Sequence, residues 1–361
     1  MSIPDPGASS EMPYGNFDNN RIFYAVHAIG FAPFKTNNYE PASGVQSVGT
    51  NVNFNLEQVF QLGQLEIYEQ VENIPNVEAT VEKALDGAPL IQHLASQDAT
   101  ASTLIGRYSN TRCMMAVAFY NDTNSNATGT PLSETVMSGM YVSSIAMNFP
   151  VNGNFTESVT LVGNDKVWAT GSKVNTLSFK FIPTTYGDSG TPVSNIQRRQ
   201  HLVMSGCRFP LDIPGIHTSS SGTNNLNTAG ASAFAVAFQT IGVNVNLGRT
   251  EMFELGRRGP YHRYADFPTQ VSCSFEIIAK DPEQFVEASS TAASNVSNQS
   301  IYFLLTEGSR INLGSKNKLV SISSTGANAG DTGNRTVTYQ YQNFNTLKVT
   351  HPLDPVSSLR P

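Results

Sequence analysis

Charge is scarce in this chain. Only 14% of its residues are Asp, Glu, Lys or Arg, and the formal net charge is −6. Residues 1–190 hold 17 acidic and 8 basic side chains, a net of −9, and residues 191–361 hold 11 and 14, a net of +3. Neither half is basic enough to grip a phosphate backbone by charge. Cysteine is scarcer still, with Cys113, Cys207 and Cys273 at irregular spacing. An odd, irregular set is not a disulfide framework, so these residues read as small buried hydrophobes made in a reducing compartment. No apolar run reaches bilayer length, and no membrane partner is expected. The opening stretch MSIPDPGASSEMPYGNFDNN lacks the basic start and apolar run of a signal peptide. Without export, the Asn-x-Thr triplets at Asn121, Asn126 and Asn154 read as chance matches.

Chemistry-bearing motifs are also thin. The six histidines, His27, His93, His201, His217, His262 and His351, form no HxxxH pair, and no Cys-x-x-Cys occurs. No metal site is expected, and no glycine-rich phosphate loop points to a cofactor. Gly187-Asp188-Ser189-Gly190 resembles the nucleophile signature of chymotrypsin-like proteases. That chemistry also needs a histidine base and a buried aspartate. His27 is the only positionally plausible base, and its surroundings do not resemble that family's histidine motif. The chain is therefore expected not to be an enzyme.

What the chain does have is a sentence said twice. Residues 48–87 and 241–281 align at a constant offset of 193, with nine identities in the 27 positions from 49 to 75. Gly49, Asn51, Asn53, Leu62, Gly63 and Pro75 meet Gly242, Asn244, Asn246, Leu255, Gly256 and Pro268. One residue is then inserted in the second copy, and Val77, Ala79 and Val81 fall opposite Val271, Cys273 and Phe275. Such self-similarity marks one structural unit made twice. The unit reads as a strand, an irregular loop around Leu-Gly and a second strand. The second strand alternates strictly, as a strand does with one face in a core and one in water.

Abundant Asn, Ser, Thr and Gly with many β-branched residues favour a mainly β protein. The division expected is an arm at 1–20, a first domain at 21–183, a linker at 184–200, a second domain at 201–351 and a tail at 352–361. Within the first domain, 21–34 and 112–122 read as strands. Residues 140–163 read as a hairpin turning at Val151-Asn152-Gly153-Asn154, and 88–97 as a short helix packed on the sheet. In the second, 201–213 reads as the opening strand again and 281–294 as the matching helix. SIYFLLTEG, KLVSISST and TVTYQYQNFNTLKVTH complete its sheet.

The stretch VNFNLEQVFQLGQLEIYEQVENIPNVEATVEKALDG, with the hairpin SSIAMNFPVNGNFTESVTLVG, resembles tail tube proteins of long-tailed bacteriophages. The resemblance covers most of 45–165 and, more faintly, 202–350. It implies two tandem tail-tube-like β-sandwich or barrel domains. It also implies a virion protein, made in the host cytoplasm, that builds stacked rings of a hollow tube through which the genome leaves. With two domains per chain and six positions per ring, it implies trimeric rings of pseudo-sixfold symmetry. The implied partners are the chain itself, a tape measure protein, and tail-tip or terminator proteins at the ends. DNA would pass through without specific binding. The second class considered is a carbohydrate-binding or adhesive β-sandwich virion protein, which would show clustered aromatics on a shallow face. The single Trp168 and the dispersed tyrosines do not demand it.

Two sets of residues follow as site candidates. Glu78, Thr80 and Glu82 in the first copy, and Ser272, Ser274 and Glu276 in the second, form the polar faces of the alternating strands. They face either a lumen or the outside solvent. A neutral-to-acidic lumen would let a polyanion pass. Glu66, Glu69 and Glu72 in the first loop meet Arg257, Arg258, His262 and Arg263 in the second, at ring or ring-stacking contacts.

Overall fold

The computed structural model describes residues 26–35, 39–63, 65, 67–96, 111–120, 131–170, 196–213, 216, 236–279, 297–325 and 336–351. These residues are mainly β, as expected, and their order is that of a plan laid down twice. The first half runs β1 (Val26–Pro33), β2 (Glu40–Pro41), β3 (Val45–Asn53), β4 (Leu56–Phe60), β5 (Ile67–Glu72), β6 (Asn76–Ala84), α1 (Ile91–Ala95), β7 (Cys113–Tyr120), β8 (Ser133–Pro150), β9 (Thr156–Gly163) and β10 (Asp165–Thr170). The second runs β11 (Ala237–Asn246), β12 (Thr250–Met252), β13 (His262–Tyr264), β14 (Gln270–Ile278), β15 (Tyr302–Leu304), β16 (Arg310–Asn312), β17 (Lys318–Thr325), β18 (Thr336–Phe344) and β19 (Lys348–Thr350).

The principal sheet is antiparallel and runs through both halves in the order β3-β6-β9-β8-β11-β14-β18-β17. The first four strands belong to one half and the last four to the other. β8 is 18 residues long, and its two ends serve different sheets. Its C-terminal end pairs with β9 and β11, while its N-terminal end pairs with β7 and β10 in a second layer that continues to β1 and β2. Gly139, at φ +65, lies where the strand passes between the two, a backbone conformation that favours glycine. The second half has a smaller second layer, β15-β16-β19.

Alternation decides which face is inside. Val77, Ala79 and Val81 on β6 are buried, as are Val271, Cys273 and Phe275 on β14. One hydrophobic core cluster takes residues from both halves. Phe149 on β8 reaches Phe303 on β15 with ring centroids 6.1 Å apart. Phe275 packs among Phe209, Phe238, Phe303 and Tyr341. All three cysteines are free and buried, and burial pushes the Cys113 and Cys207 thiols up to about 12.

The helix expected within 88–97 forms as α1, and its residues are buried. It has no capping side chain of its own. Glu157, two strands away, accepts hydrogen bonds from the backbone N–H groups of Ile91 and Gln92, at 2.8 and 3.0 Å. A carboxylate there satisfies donors that the helix leaves open. Burial still raises the pKa of Glu157, against those bonds and the nearby Lys83.

Two expectations fail. Residues 201–213 do not repeat an opening strand. They form short 3-10 turns, with isolated bridges from Leu202 to Leu305 and from Arg208 to Tyr302. The segment reads SGCRFPLDIP, and its prolines and glycine break a continuous ladder. The loops around Leu-Gly are also not irregular. β4 pairs with β5 and β12 with β13, each a two-stranded hairpin of its own. The helix expected at 281–294, the linker up to residue 195, the arm at 1–20 and the tail at 352–361 lie outside the described residues.

Candidate assembly interface

The duplication can be followed residue by residue in hydrogen-bond register. On β3 and β6, Gly49 faces Thr80 and Asn53 faces Asn76. On β11 and β14, Gly242 faces Ser274 and Asn246 faces Gln270. Both ladders slip once, between Val45 and Ser47 and between Phe238 and Thr240, which are equivalent positions. The next strands repeat as well. Val77 faces Gly163 as Val271 faces Asn343. Tyr141 and Val142 face β9 as Lys318 and Leu319 face β18. A slip follows at once in both, before Ser144 and before Ser321. A β-bulge re-aims a strand and is not a random defect. Two pairs of bulges at matched places tie the halves together more firmly than nine identities do.

The hairpins repeat in the same way. Val59 faces Glu69 as Met252 faces His262. Each begins with one turn: the Asn53 side chain accepts from the Asn55 N–H at 3.1 Å, and the Asn246 side chain accepts from the Gly248 N–H at 2.9 Å. Asn55 and Gly248 both have positive φ, +47 and +57. Leu62 and Leu255 at the tips are fully exposed.

Between the halves lies a seam. β8 and β11 pair with Asn148 opposite Gly242, Ala146 opposite Asn244 and Ser144 opposite Asn246. The β12–β13 hairpin reaches across it to the first half. The Tyr141 hydroxyl lies 3.1 Å from His262 Nδ1. Arg249 Nε donates to the Val142 carbonyl at 2.7 Å, and its guanidinium stands over the Tyr141 ring. Burial lowers the Arg249 pKa to about 10. Arg263 Nη2 donates to Asn76 Oδ1 at 3.0 Å and to Asn164 Oδ1 at 3.2 Å, and pairs with Glu251.

The predicted site residues fall as follows. Glu78, Thr80, Glu82, Ser272, Ser274 and Glu276 all lie on the sheet face opposite the core, Glu78 and Glu82 exposed and the others half-buried. Glu69 and Glu72 are exposed on β5, and Glu66 lies outside the described residues. Arg257 and Arg258 are exposed on the second hairpin, with Arg257 paired to Glu254 at 3.1 Å. Arg263 departs from that set: it is buried, and its guanidinium is held inside the chain. Burial lowers its pKa, while Glu251 raises it. Tyr141, Arg249, Asn76 and Asn164 complete this contact and were not legible in the sequence. Their partners are about 100 residues or more away, and only register brings them together. His27 is exposed, and Gly187-Asp188-Ser189-Gly190 lies outside the described residues. Among the described residues no group of three metal-ligating side chains occurs.

No family model matches the chain, and no curated protein matches it. Several solved structures are similar in part. A chain of the anti-feeding prophage baseplate aligns at TM-score 0.30 and 10% identity, covering 42% of this chain and 96% of that one. A chain of the PVC sheath–tube complex, an extracellular contractile injection system, aligns at TM-score 0.29 and 10% identity, covering 42% and 94%. A chain from the tail of an empty GTA particle aligns at TM-score 0.25 and 15% identity, covering 35% and 92%. All three are parts of tails or injection particles.

Proposed function

We propose that this chain is the wall protein of a hollow phage-type tail tube, with a structural and not a catalytic role. Three copies close a ring, rings stack, and the genome passes through the lumen. The observation that carries this is the β8–β11 seam. It joins two equivalent halves edge to edge and, among the described residues, leaves an equivalent pair of edges, β3 and β17, at the ends of the sheet.

An unpaired edge is an aggregation hazard unless a defined partner covers it. Pairing β17 of one copy with β3 of the next repeats the seam already present. Ser323 would face Asn51 as Ala146 faces Asn244, and Thr325 would face Gly49 as Asn148 faces Gly242. Such a contact is heterologous, and it gives a ring when its rotation closes. Three chains bring six halves, the number the resemblance to tail tube proteins implies, and each adds eight strands to one barrel. The face away from the core becomes the lumen. It is rich in Ser, Thr, Asn and Gln, with Glu78, Glu82 and Glu276 as carboxylates, and such a wall does not hold a passing polyanion. Tape measure, tail-tip and terminator proteins would meet the tube along its lumen and at its ends. Among the described residues, most exposed aromatics are on the hairpins, among them Phe60, Tyr68, Phe253 and Tyr261, which favours the tube reading over the adhesive one.

Electron microscopy of the purified protein tests this. Hollow rings or tubes with three chains per ring are expected, and a monomer at every salt and protein concentration would overturn the proposal.

A further inference from the structure

The internal seam is also a template for a contact that the single chain cannot make. Across it, the β12–β13 hairpin leans over the first half and sets His262 against Tyr141. The β4–β5 hairpin is its equivalent and, among the described residues, has no half to lean on, because β3 is the end strand of the sheet they form. Register gives the equivalents. His262 opposite Met252 corresponds to Glu69 opposite Val59. Tyr141 opposite Val162, just before the β8 bulge, corresponds to Lys318 opposite Gln342, just before the β17 bulge. We infer that the β4–β5 hairpin docks on the β17–β18 edge of a second copy of this chain, where Glu69 of one copy forms an ion pair with Lys318 of the next.

This rests on the ring proposed above, and it adds which side chains lock neighbouring chains together. Charge complementarity favours it. Glu69 and Lys318 are both exposed, and neither has an ion-pair partner among the described residues. A carboxylate and an ammonium thus take the places that an imidazole and a phenol, respectively, hold inside the chain. The neighbouring equivalents fit as well. Arg249 against Val142 becomes Leu56 against Leu319, and Arg263 against Asn164 becomes Gln70 against Phe344. Leu56 and Phe344 are 57% and 54% exposed, and docking would cover both. The substitution is chemically consistent. The inner seam forms within one chain and buries Arg263, whereas the outer one must form between free, solvated chains. Exposed charges suit that task because they steer encounter and fix register.

The test is a heterotypic cross-link. Glu69→Cys and Lys318→Cys are made as separate variants, mixed, assembled and oxidised, with the three native cysteines left buried. The expected result is a covalent dimer in the mixture and none in either variant alone. In parallel, Glu69→Lys or Lys318→Glu alone should lower the assembled fraction several-fold, and the double swap should restore it. Rings seen by microscopy without the cross-link would overturn the hairpin contact and leave the ring intact. Absence of both rings and cross-link would overturn the ring reading and this inference with it.

Discussion

Arg263 and Asn76 are joined across the seam, with guanidinium Nη2 donating to the amide oxygen at 3.0 Å. Arg263 belongs to the second hairpin and Asn76 to the first strand after the first hairpin, so this side chain helps Arg249 and His262 fasten one half to the other. The same guanidinium also reaches Asn164 and Glu251 while nearly fully buried.

Arg263→Met should therefore destabilise the monomer without exposing new apolar surface. The loss of charge-assisted bonds is worth about 2–3 kcal/mol, partly from stranding Glu251. Urea unfolding of the purified chain checks this, and an unchanged midpoint would show that the hairpin is not fastened there.

The polar face can be tested by reversing its charge. Glu78→Lys, Glu82→Lys and Glu276→Lys together should leave the fold intact, since all three point away from the core. If that face lines the lumen, assembled tubes should retain DNA at about 0.05 M salt and release it near 0.2 M, because phosphate contacts weaken steeply with salt. Co-sedimentation with short DNA fragments reads this. Unchanged DNA binding would place the face outside.

The exposed hairpin arginines are a separate matter. Arg257→Glu with Arg258→Glu should leave the circular dichroism spectrum unchanged, because both are exposed. Among the described residues, the Arg257 side chain meets the surface carboxylate of Glu254 and the ring of Tyr261. Tube length in micrographs should fall if these loops meet acidic loops between rings. Tubes of normal length would remove that role.

Stability should depend on pH through two buried groups with opposite signs. Burial pushes the Glu307 carboxyl up to about 7 from 4.5 and outweighs the pull of Ser309, Lys83 and Gly87. Its folded pKa is raised, so its contribution is present below the unfolded value and is lost as pH rises through about 7. Burial, with His93 and Lys83, lowers His351 from 6.5 to about 3. Its contribution is present above 6.5 and is lost as pH falls toward about 3. Glu307→Gln should raise the Tm at pH 8 relative to the native chain and leave it nearly unchanged at pH 4. Equal shifts at both pH values in calorimetry would contradict this.

Much of the fold was legible because alternation writes burial directly into the chain. β6 shows Val77, Ala79 and Val81 inside with Glu78, Thr80 and Glu82 outside, and the turn at Asn152-Gly153 announces β8–β9. The hairpins β4–β5 and β12–β13 were not legible as strands. The side chains of β4 and β5 are exposed on both faces, so no period of two arises, as Leu56–Phe60 shows, and β12 and β13 are only three residues each, too short to show one. The seam was not legible either. Nothing in the composition of β8 says that its C-terminal end pairs with β9 on one side and with β11, almost 100 residues on, at the other. The pairing of Tyr141 with His262 shares no residue type with Glu69 and Lys318. The equivalence of Tyr141 and Lys318 appears only when the bulges before Ser144 and Ser321 are aligned.

The central claim is that β17 of one copy pairs with β3 of the next in the register of the inner seam. A disulfide reads that register directly. The double variant Asn51→Cys/Ser323→Cys, assembled and oxidised, should run as a covalently closed trimer under denaturing, non-reducing conditions, since directly opposed residues lie within disulfide reach. A monomer that never cross-links, or a link formed only when the second cysteine is moved to Lys318, would contradict the account.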